Sequence, residues 1–149
     1  MRAVIQRVDS ANVRINEQVH SKIERGFLIY LGIEHADEQD DAKWLVDKIS
    51  KLRIFSDSEG KMNLSIQDIN GSILVISQFT LHAKTKKGNR PSFINAARPE
   101  NAIPLYKSFI EHMEQQVTTV QSGIFGAEMY ISSINNGPVT ILIDSKNRE

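Results

Sequence analysis

The sequence predicts a single α+β domain over residues 1–149, in which a β-rich core of mixed, mostly antiparallel sheet carries two helices packed on one side. Three observations favour this fold class. Apolar and polar residues alternate near the amino terminus, two nearly continuous apolar runs follow, and two segments repeat their apolar residues at helical spacing. Two helical segments are too few for a doubly wound parallel sheet, in which strands and helices alternate.

Strand patterns occupy much of the chain. The run GFLIYLGI at 26–33 is typical of a strand buried on both faces, and SILVISQF at 72–79 is the strongest strand signal. Shorter or weaker strand patterns lie at 2–8, 11–16, 19–23, 53–55, 127–134 and 138–144. A turn is predicted at 57–60, where Asp, Ser, Glu and Gly follow one another.

Both helices are predicted from the spacing of their apolar side chains. The first covers 37–52, with Asp37 as its N-cap and further acidic residues in its first turn. The second helix begins near Pro99 and Glu100, since proline is favoured at the first helical position. Its apolar stripe consists of Ile103, Tyr106, Ile110, Met113 and Val117.

The composition excludes several classes of protein. The 18 basic and 18 acidic side chains cancel, which disfavours a protein that coats polyanions with its whole surface. Cysteine is absent, which excludes disulfides and thiolate catalysis. The four histidines lack metal-ligand spacing, and no nucleotide-binding glycine motif occurs, so we expect no metal and no cofactor. The amino terminus lacks the apolar core of a signal peptide, which predicts a cytoplasmic protein without a membrane partner.

Polar residues follow the strongest predicted strand without a break. Ser77, Gln78, Phe79 and Thr80 come at its end, where polar groups must either find partners or line a cavity. One interpretation is a strand end capped by hydroxyl groups. The other is the rim of a site, in which Thr80 is a nucleophile or backbone N–H groups form an oxyanion hole.

A basic segment comes next, at residues 84–98. It contains no acidic residue, and its cations are Lys84, Lys86, Lys87, Arg90 and Arg98. Such a segment is either a solvated loop or a surface that contacts phosphates.

Three further features allow more than one interpretation. Asn135 to Pro138 lie between apolar runs, and spacing alone favours a hairpin turn there over a cis Gly-Pro bond. Arg7 follows the apolar face of the first strand, which indicates an edge, a rim or an anchor for buried carbonyl groups. Phe125 and Met129 either pack in the core or form a flat apolar slot for a ring.

Together these segments resemble the D-aminoacyl-tRNA deacylase family over essentially the whole chain. The matching motifs are Gln6-Arg7-Val8, Arg53 to Asp57, Gly60 to Leu64, Ser77 to Leu81, Arg90 to Phe93, Phe125 to Met129, and Gly137 to Thr140. Their order and separation make a chance match negligible. One departure is Asn136, where family members often carry Asp before the Gly-Pro pair.

The resemblance implies a homodimeric enzyme that hydrolyses the ester between a D-aminoacyl group and the terminal ribose of tRNA, and also glycyl-tRNA. A cis Gly137-Pro138 loop would enter the pocket of the partner subunit and face the α-amino group of the substrate. An L side chain would then clash with the loop backbone, which is selection by exclusion. Arg7 would hold this loop by bonding to its backbone.

The resemblance also assigns roles within the pocket. Backbone N–H groups around Phe79 and Thr80 would stabilise the oxyanion. We favour attack by water assisted by the ribose 2′-hydroxyl over attack by Thr80, which has no evident base beside it. Phe125 and Met129 would flank the terminal adenine. Acceptor-stem phosphates would meet Lys84, Lys86, Lys87 and Arg90.

Two other functions compete with this one. An editing domain like that of threonyl-tRNA synthetase would remove an L-amino acid, but the Gly137-Pro138 pair and the Ser77 to Thr80 motif argue against it. A non-catalytic tRNA-binding module would bind tRNA without turnover and without sensitivity to the configuration at the α-carbon.

Overall fold

The two longest strands of the structure, a computed structural model that describes residues 1–149, are β1 (Arg2–Ile15) and β8 (Tyr130–Asp144). They pair antiparallel with each other. On its other edge, β1 pairs antiparallel first with β3 (Gly26–Gly32) and then with β2 (Gln18–Ile23). One continuous β1 therefore replaces the two short strands that the sequence predicts at 2–8 and 11–16.

The middle of the sheet is parallel. β3 pairs in parallel with β6 (Ser72–Ser77), and β6 pairs in parallel with β7 (Thr119–Ser122). The carboxyl ends of β3 and β6 consequently lie side by side. No sequence pattern predicts β7, because its four residues are half exposed and carry no apolar run. Separate from this sheet, β4 (Phe55–Ser56) and β5 (Met62–Leu64) form a small hairpin around the predicted turn.

Helices α1 (Gln39–Ser50) and α2 (Pro99–Glu114) pack on one face of the sheet. Their buried side chains join those of β1, β3 and β6 in a core of 22 residues. A second core of 7 residues fills the other face, where β1 and β2 fold back over β3 and β6. The predicted α+β class with two helices on one side is confirmed. Neither helix has the length and apolar character needed to cross a bilayer.

Two details of the helices differ from the prediction. Glu38, not Asp37, is the N-cap of α1, and its backbone N–H donates to the Asp41 carboxylate at 2.9 Å. Asp37 instead accepts a hydrogen bond from the α-amino group of Met1, a partner that is remote in sequence. In α2, the stripe residues Ile103 and Ile110 are only partly buried, while Ala102, Leu105 and Phe109 fill the core face.

The prediction of a hairpin turn at Asn135 to Pro138, which spacing alone favours, is wrong. β8 continues through these residues, because the segments on both sides of them pair with β1. The register passes from Asn135 opposite Val8 to Thr140 opposite Gln6, so the intervening residues form a bulge opposite Arg7. The Gly137-Pro138 peptide bond is cis, and both residues are exposed.

Candidate functional site

The candidate site is a pocket of about 280 Å³ at the carboxyl ends of β3 and β6. Ser77, Gln78 and Phe79 line one side of it, and Phe125 and Met129 line another. The structure thus brings together two sequence motifs that are more than forty residues apart. The pocket is mainly apolar, which suits an aromatic ring more than a hydrated ion.

Pocket-lining residues that sequence reasoning missed are mostly small or aliphatic. They are Leu31, Ile33, Ile76, Ala97, Ala102, Gly126, Ala127 and Ile131. Such residues give no chemical signal in a sequence, since their contribution is the space they leave. The parallel pairing of β3 with β6, which places Leu31 opposite Ser77, is what brings aliphatic residues of β3 to the end of β6.

The backbone leaves β6 in a way that exposes two donors. The N–H of Gln78 extends the parallel ladder by donating to the Leu31 carbonyl at 2.8 Å. A short 3₁₀ turn then begins at Phe79, and the N–H of Leu81 bonds back to the Gln78 carbonyl at 3.3 Å. The N–H groups of Phe79 and Thr80 lie between these two bonds and are the first two donors of the turn, which have no partner within the turn itself. These two successive donors lie beside the pocket, which Phe79 lines and Thr80 adjoins.

Thr80 lies beside the pocket and not in it. Its side chain is exposed in a neighbouring open groove, next to Arg2 and Leu81. The Thr80 hydroxyl accepts a hydrogen bond from the Gln78 side-chain amide at 2.5 Å. No carboxylate or imidazole is hydrogen-bonded to this hydroxyl, so the structure shows no base bonded to it that could take its proton.

Arg7 anchors the bulge of β8. Its guanidinium donates to the Asn136 carbonyl at 3.1 Å, to the Asn136 side-chain oxygen at 3.1 Å and to the Ile54 carbonyl at 2.6 Å. The Asn136 side chain also donates to the Asp9 carboxylate at 2.7 Å, a bond that an aspartate could not make. The bulge is thus held by hydrogen bonds from the Arg7 guanidinium on one side and by a hydrogen bond to the Asp9 carboxylate on the other.

Gly137 and Pro138 do not line the pocket of their own chain. Arg7, which lies opposite the bulge, pairs with Phe27 near the beginning of β3, whereas the pocket begins at Leu31. Four residues of strand separate these positions by about 13 Å. The structure therefore places the two predicted halves of the site at opposite ends of β3.

The basic loop lies next to the pocket but outside it. Lys84, Lys86, Lys87 and Arg90 are exposed, and none of them forms an ion pair within the chain. Two backbone hydrogen bonds between Lys84 and Ser92 close the base of the loop, at 2.8 and 3.0 Å. Phe93 then packs edge-on against Phe79, with ring centroids 5.0 Å apart. This contact fastens the loop to the segment that carries the free donors.

Comparisons with known proteins agree over the whole chain. The family model described as D-Tyr-tRNA(Tyr) deacylase matches residues 4–144. The chain is 60% identical to a D-aminoacyl-tRNA deacylase of Cytophaga hutchinsonii and 58% identical to one of Flavobacterium psychrophilum, and each match covers 100% of both chains.

Solved structures show the same fold. The c-Myc DNA Unwinding Element Binding Protein is 39% identical and superposes with a TM-score of 0.92, over 97% of this chain and 98% of that one. A probable eukaryotic D-amino acid tRNA deacylase superposes with a TM-score of 0.80 over 95% of this chain and 97% of that one. At 17% identity, this second likeness concerns the fold alone.

Proposed function

The chain belongs to the D-Tyr-tRNA(Tyr) deacylase family, and from that premise we propose how its pocket removes D-amino acids from tRNA. The enzyme is a hydrolase that cleaves the ester of D-aminoacyl-tRNA. Water adds to the ester carbonyl carbon, the bond to the ribose oxygen breaks, and free amino acid and tRNA leave. The observation that carries the mechanism is the position of two free backbone donors at the rim of an apolar pocket.

The free N–H groups of Phe79 and Thr80 bind the oxyanion of the tetrahedral intermediate. Backbone donors of this kind are preorganised, and the loss of one typically costs about 10²–10³ in kcat. The attacking water is assisted by the ribose 2′-hydroxyl of the substrate and not by Thr80. The hydroxyl of Thr80 is bound to the Gln78 amide and has no base beside it, which supports this choice.

The terminal adenosine enters the pocket between Phe125 and Met129. The pocket volume and apolar lining suit a purine ring, and stacking on an aromatic side chain contributes about 1–3 kcal/mol per base. The exposed cations Lys84, Lys86, Lys87 and Arg90 contact phosphates of the acceptor stem. Phe93 keeps this loop beside the pocket through its contact with Phe79.

Selection for the D configuration requires a second copy of the chain. Gly137 and Pro138 are exposed and lie about 13 Å along the sheet from their own pocket, so only a partner subunit can bring them to the substrate. β8 also leaves one edge unpaired and exposes Ile134 and Leu142 at 60% and 65%, features that favour burial against another chain.

In the dimer, the carbonyl groups of the Gly137-Pro138 loop hold the α-amino group of the substrate. With the amino group and the ester carbon both held, an L side chain points into the loop, and a D side chain points away from it. Glycine has no side chain to clash, so glycyl-tRNA is a further substrate. Selection then depends on exclusion and needs no pocket for any particular side chain.

The experiment that tests this function is a hydrolysis time course on one tRNA charged separately with D-Tyr, L-Tyr and Gly. Loss of D-Tyr and Gly with L-Tyr spared is the expected result. Equal loss of D-Tyr and L-Tyr would contradict selection by the loop. Binding of tRNA without any hydrolysis would identify a tRNA-binding module instead. Cleavage of L-aminoacyl esters alone would indicate an editing domain like that of threonyl-tRNA synthetase.

A further inference from the structure

The carbonyl group of Val75 joins three parts of the molecule behind the pocket. It accepts the hydroxyl of Tyr106 from α2 at 2.9 Å and the N–H of Gly123, just after β7, at 3.0 Å. Val75 itself lies in β6, two residues before the pocket residue Ser77. Neither Tyr106 nor Gly123 lines the pocket.

Tyr106 supports the Phe125 wall of the pocket. It is 4% exposed, and its ring packs edge-on against Phe125, with centroids 5.7 Å apart and planes at 62°. Burial raises the pKa of the Tyr106 hydroxyl, which therefore remains a donor at any physiological pH. Its bond to Val75 fixes the ring, and the fixed ring limits where Phe125 can lie.

Gly123 supports the Met129 wall by leaving room for it. A Cβ at Gly123 would lie 2.5 Å from the sulfur of Met129 and 3.1 Å from the terminal methyl of Ile76. The backbone of Gly123 is not in the left-handed region, so an alanine there meets no conformational obstacle. Its closest contact is the end of the flexible Met129 side chain, which would have to move, whereas the end of Ile76 would have to yield by only a few tenths of an ångström.

We propose that Tyr106 and Gly123 are positioning residues that set the width of the slot between Phe125 and Met129 for a purine ring. This inference rests on the proposed function. Tyr106 acts by supporting Phe125. Gly123 acts through its lack of a side chain, which leaves space behind the slot for the Met129 thioether. Neither residue touches the substrate, and neither contributes a group to the hydrolysis.

The sharper test is Gly123→Ala. The added methyl displaces the Met129 side chain toward the slot, so we expect the KM for D-Tyr-tRNA to rise about tenfold, within the range of one stacked base. The kcat is expected to stay within about twofold, because the donors at Phe79 and Thr80 are untouched. Ile124→Ala is the matched control, since Ile124 is exposed in the same segment and does not line the pocket.

A second measurement distinguishes a change in slot width from a general loss of structure in the variant. Adenosine 5′-monophosphate is used as a competitive inhibitor, and its inhibition constant is expected to rise with the KM in Gly123→Ala. In a Met129→Ala background the same glycine substitution is expected to change neither value, because the side chain that it displaces is gone. An effect that persists in that background would overturn the role assigned to Gly123.

Tyr106→Phe removes the hydroxyl and retains the ring. We expect the KM and the inhibition constant to rise about threefold with kcat unchanged, since one hydrogen bond to Val75 is removed. A fall in kcat without a change in the inhibition constant would overturn the role assigned to Tyr106. Failure of the unmodified enzyme to cleave D-Tyr-tRNA would instead contradict the proposed function, which keeps the two failures distinguishable.

Discussion

At the carboxyl end of β3 the chain encloses an apolar pocket with two free backbone donors, whereas near the beginning of β3 it projects an exposed bulge whose polar groups are bound. The pocket is lined by uncharged residues, so it has no carboxylate that could pair with an ammonium group. The bulge presents Gly137 and Pro138 on a support bonded to Arg7, but neither residue lines the pocket. Each end has what the other lacks, which is the physical argument for a site shared between two subunits.

The largest expected effect tests the donors of the pocket. Phe79→Pro removes the Phe79 N–H at the first position of the 3₁₀ turn, where a proline is tolerated. We expect kcat to fall by about 10²–10³ relative to Phe79→Ala, which loses the ring and keeps the donor.

Thr80→Ala tests the same end of the molecule from the side of the hydroxyl. Substantial deacylation should remain, because no base is placed to activate the Thr80 oxygen. Complete loss of turnover in a folded Thr80→Ala protein would favour covalent attack by Thr80 and contradict attack by water at the backbone donors.

The next effect tests the support of the bulge. Arg7→Ala removes three hydrogen bonds to Asn136 and Ile54, so kcat/KM for D-Tyr-tRNA is expected to fall about ten- to a hundredfold. Discrimination against L-Tyr-tRNA should weaken as well. Arg7→Lys keeps the charge without the fork and is expected to recover only part of the loss. Unchanged discrimination in Arg7→Ala would show that the bulge does not depend on this anchor.

A smaller effect concerns the basic loop beside the pocket. Replacing Lys84, Lys86, Lys87 and Arg90 by glutamine is expected to weaken tRNA binding and to flatten its salt dependence. The slope of log K against log salt should decrease by about 0.7–0.9 for each phosphate that the loop no longer neutralises. An unchanged slope, measured by titration at several salt concentrations, would place the acceptor stem on another surface.

The smallest effect concerns the support of the bulge on its acidic side. Asn136→Asp retains the acceptor for Arg7 but loses the bond donated to Asp9, so two carboxylates face each other. Because both groups are near the surface, we expect a change in unfolding free energy of less than about 1 kcal/mol and a kcat/KM within about threefold. Adding Asp9→Asn should restore the lost stability. A drop in kcat/KM that this second change does not reverse would indicate a direct role for Asn136.

The predictions that succeeded share a physical cause. GFLIYLGI and SILVISQF became β3 and β6 because such runs are stable only where both faces are buried. Both helices formed where the apolar period predicted them. Asp37 was predicted as the N-cap because an aspartate just before a helical pattern is typical of that position. Its actual partner is the α-amino group of Met1, which is remote in sequence and which no local pattern indicates.

The sequence by itself determined the fold class, the two central strands, the helices and the motifs of the site, because these depend on composition and local period. Tertiary structure decided the rest. Asn135 to Pro138 have the composition of a hairpin turn, yet β8 runs on, since β1 offers a pairing partner on both sides of the bulge. The pocket, the two free donors and the distance to Gly137 likewise arise from the register between strands. Register depends on partners far apart in the chain, which no local pattern contains.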